Sequence, residues 1–194
     1  MTRFRTRATS RFLYVATAAT TLCLAACAAC SESFEDTFSL SKRDEERPLR
    51  VGDRFPDTAE LTVIGAPGTR VRRGTDQYGG LIRCEDADIA FKDEEGTGAD
   101  RMMTPRLELR LRRLSKAVPR HWPDARLRVT EAWDERGEHG ENSAHYEGRA
   151  ADLTTDPKDP TKLGYLARLA IQAGFDWVFY EDATHVHVSV RRGP

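Results

Sequence analysis

The stretch "LRVTEAWDERGEHGENSAHYEGRAADLTT", residues 127–155, decides how this chain is read. It opens inside a strand, "ARLRVTEAW" (125–133). It closes on S-x-H-x-x-G-x-A-x-D, spelled by Ser143, His145, Gly148, Ala150 and Asp152. That closing pattern is too polar for a core strand and too ordered for a random loop. Zinc takes His and carboxylate ligands, three from the protein when a fourth position is left for water. His145 and Asp152 supply two of them. Gly148 permits a tight turn between them, and Ala150 lets the backbone approach the site. The opposing reading is a polar turn carrying an exposed histidine.

The last strand offers the third ligand. In "HVHVSV" (185–190) side chains alternate between two faces. His185, His187 and Ser189 therefore share one face, and Val186, Val188 and Val190 share the other. The valines form a core face and present the histidines together on the opposite side. Alone, such a pair is more often structural or exposed than metal-bound. With His145 and Asp152, His187 completes a three-ligand set. Glu181, just before the hairpin turn at Asp182–Thr184, is placed as the acid that stays off the metal and takes a proton from activated water.

Working outward, the chain has 194 residues, 30 basic and 31 acidic, for a net charge of −1. The length is that of one domain. Interspersed charge of both signs gives no global field for nucleic acid. Arg3, Arg5, Arg7 and Arg11 precede the apolar "FLYVATAATTLCLAAC" (12–27), which is short for a membrane span and ends in small residues, as a secretory signal does. Leu24-Ala25-Ala26-Cys27 resembles a bacterial lipobox, in which Cys27 becomes the lipidated first residue. Ordinary cleavage near Ala26 or Ala28 is the alternative. The expected layout is a signal peptide at 1–26, a charged tether at 27–50 and one domain at 51–194. The expected location is extracytoplasmic, membrane-bound through lipid on a bacterial outer membrane or cell surface. The spacing of Cys30 and Cys84 demands no disulfide.

Within the domain, "LTVIG" (61–65) reads as a short strand stopped by a turn. Thr104 reads as an N-cap with Pro105 at the first helical position. Leu107, Leu111, Leu114 and Val118 then recur at helical spacing, with Pro119 as the stop. "DPTKLGYLARLAIQAG" (159–174) is a second helix, with Leu163, Leu166, Leu169, Ala170 and Ala173 buried and Gly174 as its cap. "DWVFYED" (176–182) and "HVHVSV" are the final strands. Helices interleaved with short strands give an α/β or α+β fold, with helices packed on a mixed sheet.

Two resemblances follow from these motifs. S-x-H-x-x-G-x-A-x-D, followed by Glu181 and His187, is similar to the zinc site of the D-alanyl-D-alanine carboxypeptidases, which cut peptide bonds in peptidoglycan. A longer one joins "FPDTAELTVIGAPG", "FKDEEGTGADRMMT", the 127–155 stretch, "LARLAIQAGFDWVFYE" and "HVHVSV" in order, from Phe55 to Val190. Together these resemble the Hedgehog N-terminal signalling domain, which itself resembles the carboxypeptidases in fold and zinc site. The resemblance implies zinc ligands His145, Asp152 and His187, with Glu181 as the would-be general base. It implies His139 and His185 beside the metal, where they hydrogen-bond a water or a developing oxyanion. His139, in a loop rich in Glu and Gly, reads otherwise as a solvated residue.

A second site is acidic. "KDEEGTGAD" (92–100) carries Glu94, Glu95 and Asp100, and "TEAWDERGE" (130–138) carries Glu131 and Asp134. On composition alone these are solvated surface. The Hedgehog resemblance implies that they surround a calcium pair, since calcium collects oxygens from clustered carboxylates. Arg136 stands where the family pattern has another acid, which implies weakened calcium binding or a single ion unless Glu135 or Glu138 compensates. The sequence ends at "VRRGP" without the family's glycine–cysteine junction or self-splicing segment, so the expected lipid is the one at Cys27. Two functions stand open. One is a zinc peptidase on peptidoglycan-type peptides. The other is a non-catalytic surface or secreted ligand whose metal-ordered loops bind a partner protein.

Overall fold

Thr104 begins the longest helix through its side chain, which accepts the N–H of Leu107, with Pro105 at the first helical position. The computed structural model to which this helix belongs describes residues 47–94 and 96–193. The export segment, Cys27, most of the tether and Glu95 lie outside the described residues. Among those described, no helix is long and apolar enough to cross a membrane.

The described chain runs β1 (Arg54–Phe55), α1 (Glu60–Ile64), α2 (Asp76–Gly79), β2 (Ile82–Arg83), β3 (Ile89–Phe91), β4 (Met102–Met103), α3 (Pro105–His121), β5 (Arg126–Glu131), β6 (Ala150–Asp156), α4 (Leu163–Ala173), β7 (Trp177–Phe179) and β8 (Val186–Ser189). Six strands form one sheet in the order β1-β7-β8-β6-β5-β3, and β2 pairs β4 apart from it. β3 is parallel to β5 and every other pairing is antiparallel, so the sheet is mixed and the fold is α+β.

Period-2 alternation gives the sheet two different faces. Ala151 and Leu153 of β6, Leu127 and Val129 of β5, and Val186 and Val188 of β8 point to one side, where they form a core with α3 and α4. Leu107, Leu111, Leu114 and Val118 of α3 are fully buried there, as are Leu163, Leu166 and Ala170 of α4. Each such leucine contributes about 1.5–3 kcal/mol by leaving water. The opposite face carries Asp152 and His187 and is partly roofed by a smaller cluster of Ile64, Ala144, Ala150 and Trp177.

Three local expectations change. Residues 60–64 are a helical turn, not a strand, because a short apolar run alone cannot separate the two. Ile64 packs on Trp177 in the smaller cluster, and the Gly65 N–H closes the turn on Leu61 C=O. Pro119 does not end α3, which continues to His121. A proline near a helix end removes one N–H, and Trp122 still donates to Val118 C=O. The packed body also begins before Val51, since Leu49 is buried in the main core and donates to Gly164 C=O at 2.9 Å. Cys84 is a free, buried thiol.

Candidate metal centre

Strand register assembles the site. Asp152 on β6 lies opposite His187 on β8 and, on its other side, opposite Glu131 on β5. These three residues therefore stand in one row across the sheet. His145 arrives from a single 3-10 turn, Ala144–Glu147, between β5 and β6. Ser143 caps that turn by accepting the His145 N–H at 3.2 Å. Gly148 ends it with φ +63°, a left-handed conformation open to glycine, and a Cβ there would meet Leu81 Cδ2 at 2.8 Å. Buried Arg149 then locks the start of β6. It donates to Val190 C=O at 2.9 Å, Ile64 C=O at 3.3 Å and both oxygens of Glu147 at 3.0 Å. Ser143, His145, Gly148 and Asp152 of the motif thus each have a physical task, and Ala150 is fully buried in the smaller cluster.

Three donor atoms converge. His145 Nε2 is 3.3 Å from His187 Nδ1 and 3.4 Å from Asp152 Oδ1, and His187 Nδ1 is 3.0 Å from the same Oδ1. Zinc–ligand bonds of about 2.0–2.1 Å make tetrahedral edges of about 3.3–3.4 Å, and these spacings lie close to that. The outer nitrogens are engaged elsewhere. His145 Nδ1 donates to Ala132 C=O at 2.7 Å, and His187 Nε2 faces Glu60 Oε1 at 3.1 Å. Those partners hold the outer N–H groups, so that a cation displacing the inner protons would find a lone pair on both inner nitrogens. The donor set therefore fits zinc.

Charge is concentrated here. Asp152 is held well below its ordinary value. Its burial works the other way, but is outweighed by the charge of His145 and hydrogen bonds from His139, His145 and His187. His187 rises to about 10, because contacts with Asp152 and Glu60 outweigh a burial effect that lowers it. Glu60 falls, burial again being outweighed by the His187 contact.

The rim holds the other expected residues. His185 Nε2 is 3.3 Å from Glu181 Oε2 and 3.8 Å from Asp152 Oδ2. On the other side His139 Nε2 is also 3.8 Å from Asp152 Oδ2, and its ring stacks on His145 with centroids 4.0 Å apart. His139 is half-buried and bonded through Nδ1 to Asp134 at 2.9 Å, not a free solvated side chain. Glu181 is nearly half-exposed at the mouth, with a carboxylate oxygen within 4.8 Å of donor atoms of Asp152 and His187.

Of the acidic loops, Asp100, Glu131 and Asp134 line one small cavity of ≈ 40 Å³, together with Lys92 and Arg136. Glu94 is more than half-exposed, 3.3 Å from Lys92 Nζ. Sequence reasoning missed Glu60. It opens the helical turn whose later residues read in sequence as a strand at 61–65, and lies 127 residues from the histidine it touches. The only signal for it was the general rule that a ligand histidine takes a carboxylate or carbonyl partner.

The Hedgehog amino-terminal signalling domain profile matches residues 32–189. This chain belongs to that family. The domain is 49% identical over 147 residues to the Sonic hedgehog protein of Danio rerio, covering 74% of this chain and 35% of the relative. It is 49% identical to the Indian hedgehog protein of Gallus gallus over 147 residues, 74% of this chain and 36% of that one. It is 43% identical to the hedgehog protein of Drosophila pseudoobscura over 157 residues, 78% of this chain and 32% of that one. The chain spans about a third of the length of these curated relatives. The matched region of this Hedgehog domain contains every residue of the centre just described.

Proposed function

We propose that this chain is a Hedgehog-type protein ligand that acts outside the cytoplasm and uses a zinc centre to order the face a partner protein recognises. Membership of the signalling-domain family carries the reading, since the match spans residues 32–189 and so the whole centre. His145, Asp152 and His187 hold the zinc. Glu60 and the Ala132 carbonyl keep the two imidazoles in the ligating tautomer. His139, His185 and Glu181 form a polar rim beside it, where side chains of a partner find both donors and acceptors. Export by residues 1–26, with a lipid on Cys27, completes the reading, and the mass of the mature N-terminal peptide checks it.

The test is competition. The zinc-supplied chain should displace the amino-terminal domain of Danio rerio Sonic hedgehog from cells that bind that domain. His187→Ala should compete at least tenfold less well. No displacement by the unaltered chain, or equal displacement by His187→Ala, overturns the proposal.

A second reading rests on the Glu181–His185 contact at 3.3 Å beside Asp152. Zinc, when bound, would supply a Lewis acid there. The Glu181 carboxylate would take a proton from water, and His185 would hydrogen-bond the oxygen that gains charge. Release of D-alanine from peptidoglycan peptides, lost in Glu181→Gln with zinc content unchanged, would support a peptidase. No release leaves the ligand reading alone.

A further inference from the structure

The two acidic loops, 92–100 and 130–138, meet across the small cavity lined by Asp100, Glu131 and Asp134. A calcium ion collects about six to eight oxygens, and the described residues do not fit a calcium pair. Asp134 has no free lone pair to give. Its Oδ1 accepts the N–H groups of Arg136 and Gly137 at 2.8 and 2.7 Å. Its Oδ2 accepts those of Glu138 and His139 at 2.7 and 3.1 Å and faces His139 Nδ1 at 2.9 Å. A carboxylate offers about four lone-pair sites, and all are engaged. Glu135, the nearest substitute, is gripped by a guanidinium. Lys92 and Arg136 line the same cavity and offset part of the charge of its carboxylates, which also include Glu135 and Glu138.

That guanidinium belongs to Arg73, and it bridges the loops as a metal would. Nε and Nη2 donate to the two oxygens of Glu135 at 2.5 and 3.0 Å. Nη2 also donates to Thr97 C=O at 3.1 Å, and Nη1 to the Tyr78 hydroxyl at 3.1 Å. The group lies 5.3 Å from the ring centroid of Trp133 and 5.6 Å from that of Tyr78. Thr97 belongs to the first loop and Glu135 to the second. A lone exposed ion pair holds little, but a planar fork bound at both oxygens and set against two aromatic rings is fixed in direction.

We propose that Arg73 is a built-in cation that cross-braces the two acidic loops, so that this face of the domain is ordered without calcium. The experiment uses the full chain, supplied with zinc and stripped of calcium. Thermal unfolding should shift by less than about 1 °C on adding excess calcium, a small fraction of a kcal/mol for a chain this size. Titration calorimetry should find no saturable calcium site. The double variant Arg73→Met, Arg136→Asp frees Glu135 and adds an acid. It should acquire saturable calcium binding and gain about 5 °C in excess calcium.

A calcium-dependent rise in the unaltered chain overturns the proposal, as does a double variant indifferent to calcium. Should the double variant fail to fold, Glu135→Gln carries the test, since it leaves Arg73 in place but removes the charged grip. Amide exchange should then rise together around Thr97 and at 134–139. A rise in one loop alone, or in neither, overturns the brace.

Discussion

Glu60 and His187, 127 positions apart, are joined carboxylate to ring nitrogen at 3.1 Å. The contact gives the short α1 turn a reason to exist beside the sheet, because it holds the ring whose other nitrogen faces Asp152 at 3.0 Å. Outer partners of this kind raise ligand basicity and fix orientation. Glu60→Gln removes the charge and keeps the shape. Zinc affinity is expected to fall by about 10–100-fold, measured by competition with a chromophoric chelator. Unchanged affinity would remove Glu60 from the centre.

Asp152 is the electrostatic keystone of the same group. It is buried, and His139, His145, His185 and His187 all approach its carboxylate within 3.8 Å. Without it, the inner nitrogens of His145 and His187 lose the carboxylate they share, and only the outer contacts such as Glu60 with His187 remain. Asp152→Ala should lose zinc and lower the metal-free unfolding free energy by about 3–5 kcal/mol, the cost of breaking a buried charge pair. Urea titration of metal-free protein checks this. A loss below about 1 kcal/mol would show that the histidines are neutral and need no partner.

How much of this could be read in advance depends on where the information lies. The α3 and α4 stripes were legible because Leu107, Leu111, Leu114 and Val118, and Leu163, Leu166 and Ala170, repeat at a local period. The shared face of His185 and His187 was legible for the same reason, since alternation is a local rule. What brings Asp152 opposite His187 is strand register between β6 and β8, and no local pattern encodes that pairing. The 60–64 turn was misread because five residues carry too little period to tell a turn of helix from a strand. Arg73 was invisible because its partners, Thr97 and Glu135, lie 24 and 62 residues away.

Gly148 tests the turn that delivers His145. Its φ of +63° and the 2.8 Å approach of Leu81 Cδ2 to an added Cβ both oppose a side chain. Gly148→Ala should cost about 2 kcal/mol, from about 1–2 kcal/mol for a left-handed non-glycine residue plus the contact. Thermal unfolding should drop by about 4–8 °C. Zinc affinity should weaken as well, because Gly148 N–H donates to His145 C=O at 3.0 Å and a displaced turn carries the ring with it. A stability loss with full zinc affinity would mean that the turn and the ring move independently.

The Asp134–His139 contact should write a pH signature on the metal-free chain. Burial raises the Asp134 pKa, but the His139 ring and the backbone N–H groups of Gly137, Glu138 and His139 outweigh it and hold the carboxyl at about 2, down from 3.8. A depressed acid stabilises the fold above its ordinary value, so this contribution is present above 3.8 and fades as pH falls through about 2. Burial lowers the His139 pKa, but contacts with Asp152 and Asp134 and the charge of Glu131 outweigh it and lift the ring to about 9, up from 6.5. A raised base stabilises the fold fully below its ordinary value, so this contribution is whole below 6.5 and gone above about 9. Stability from the pair should therefore be greatest between about pH 4 and 6.5 and decline on both sides. His139→Gln should abolish the alkaline decline that belongs to this ring, and Asp134→Asn should shrink both limbs. Thermal unfolding across pH 3–10, about one point per half unit, resolves the difference. If His139→Gln and the unaltered chain fall in parallel between pH 6.5 and 9, the ring is not the titrating group.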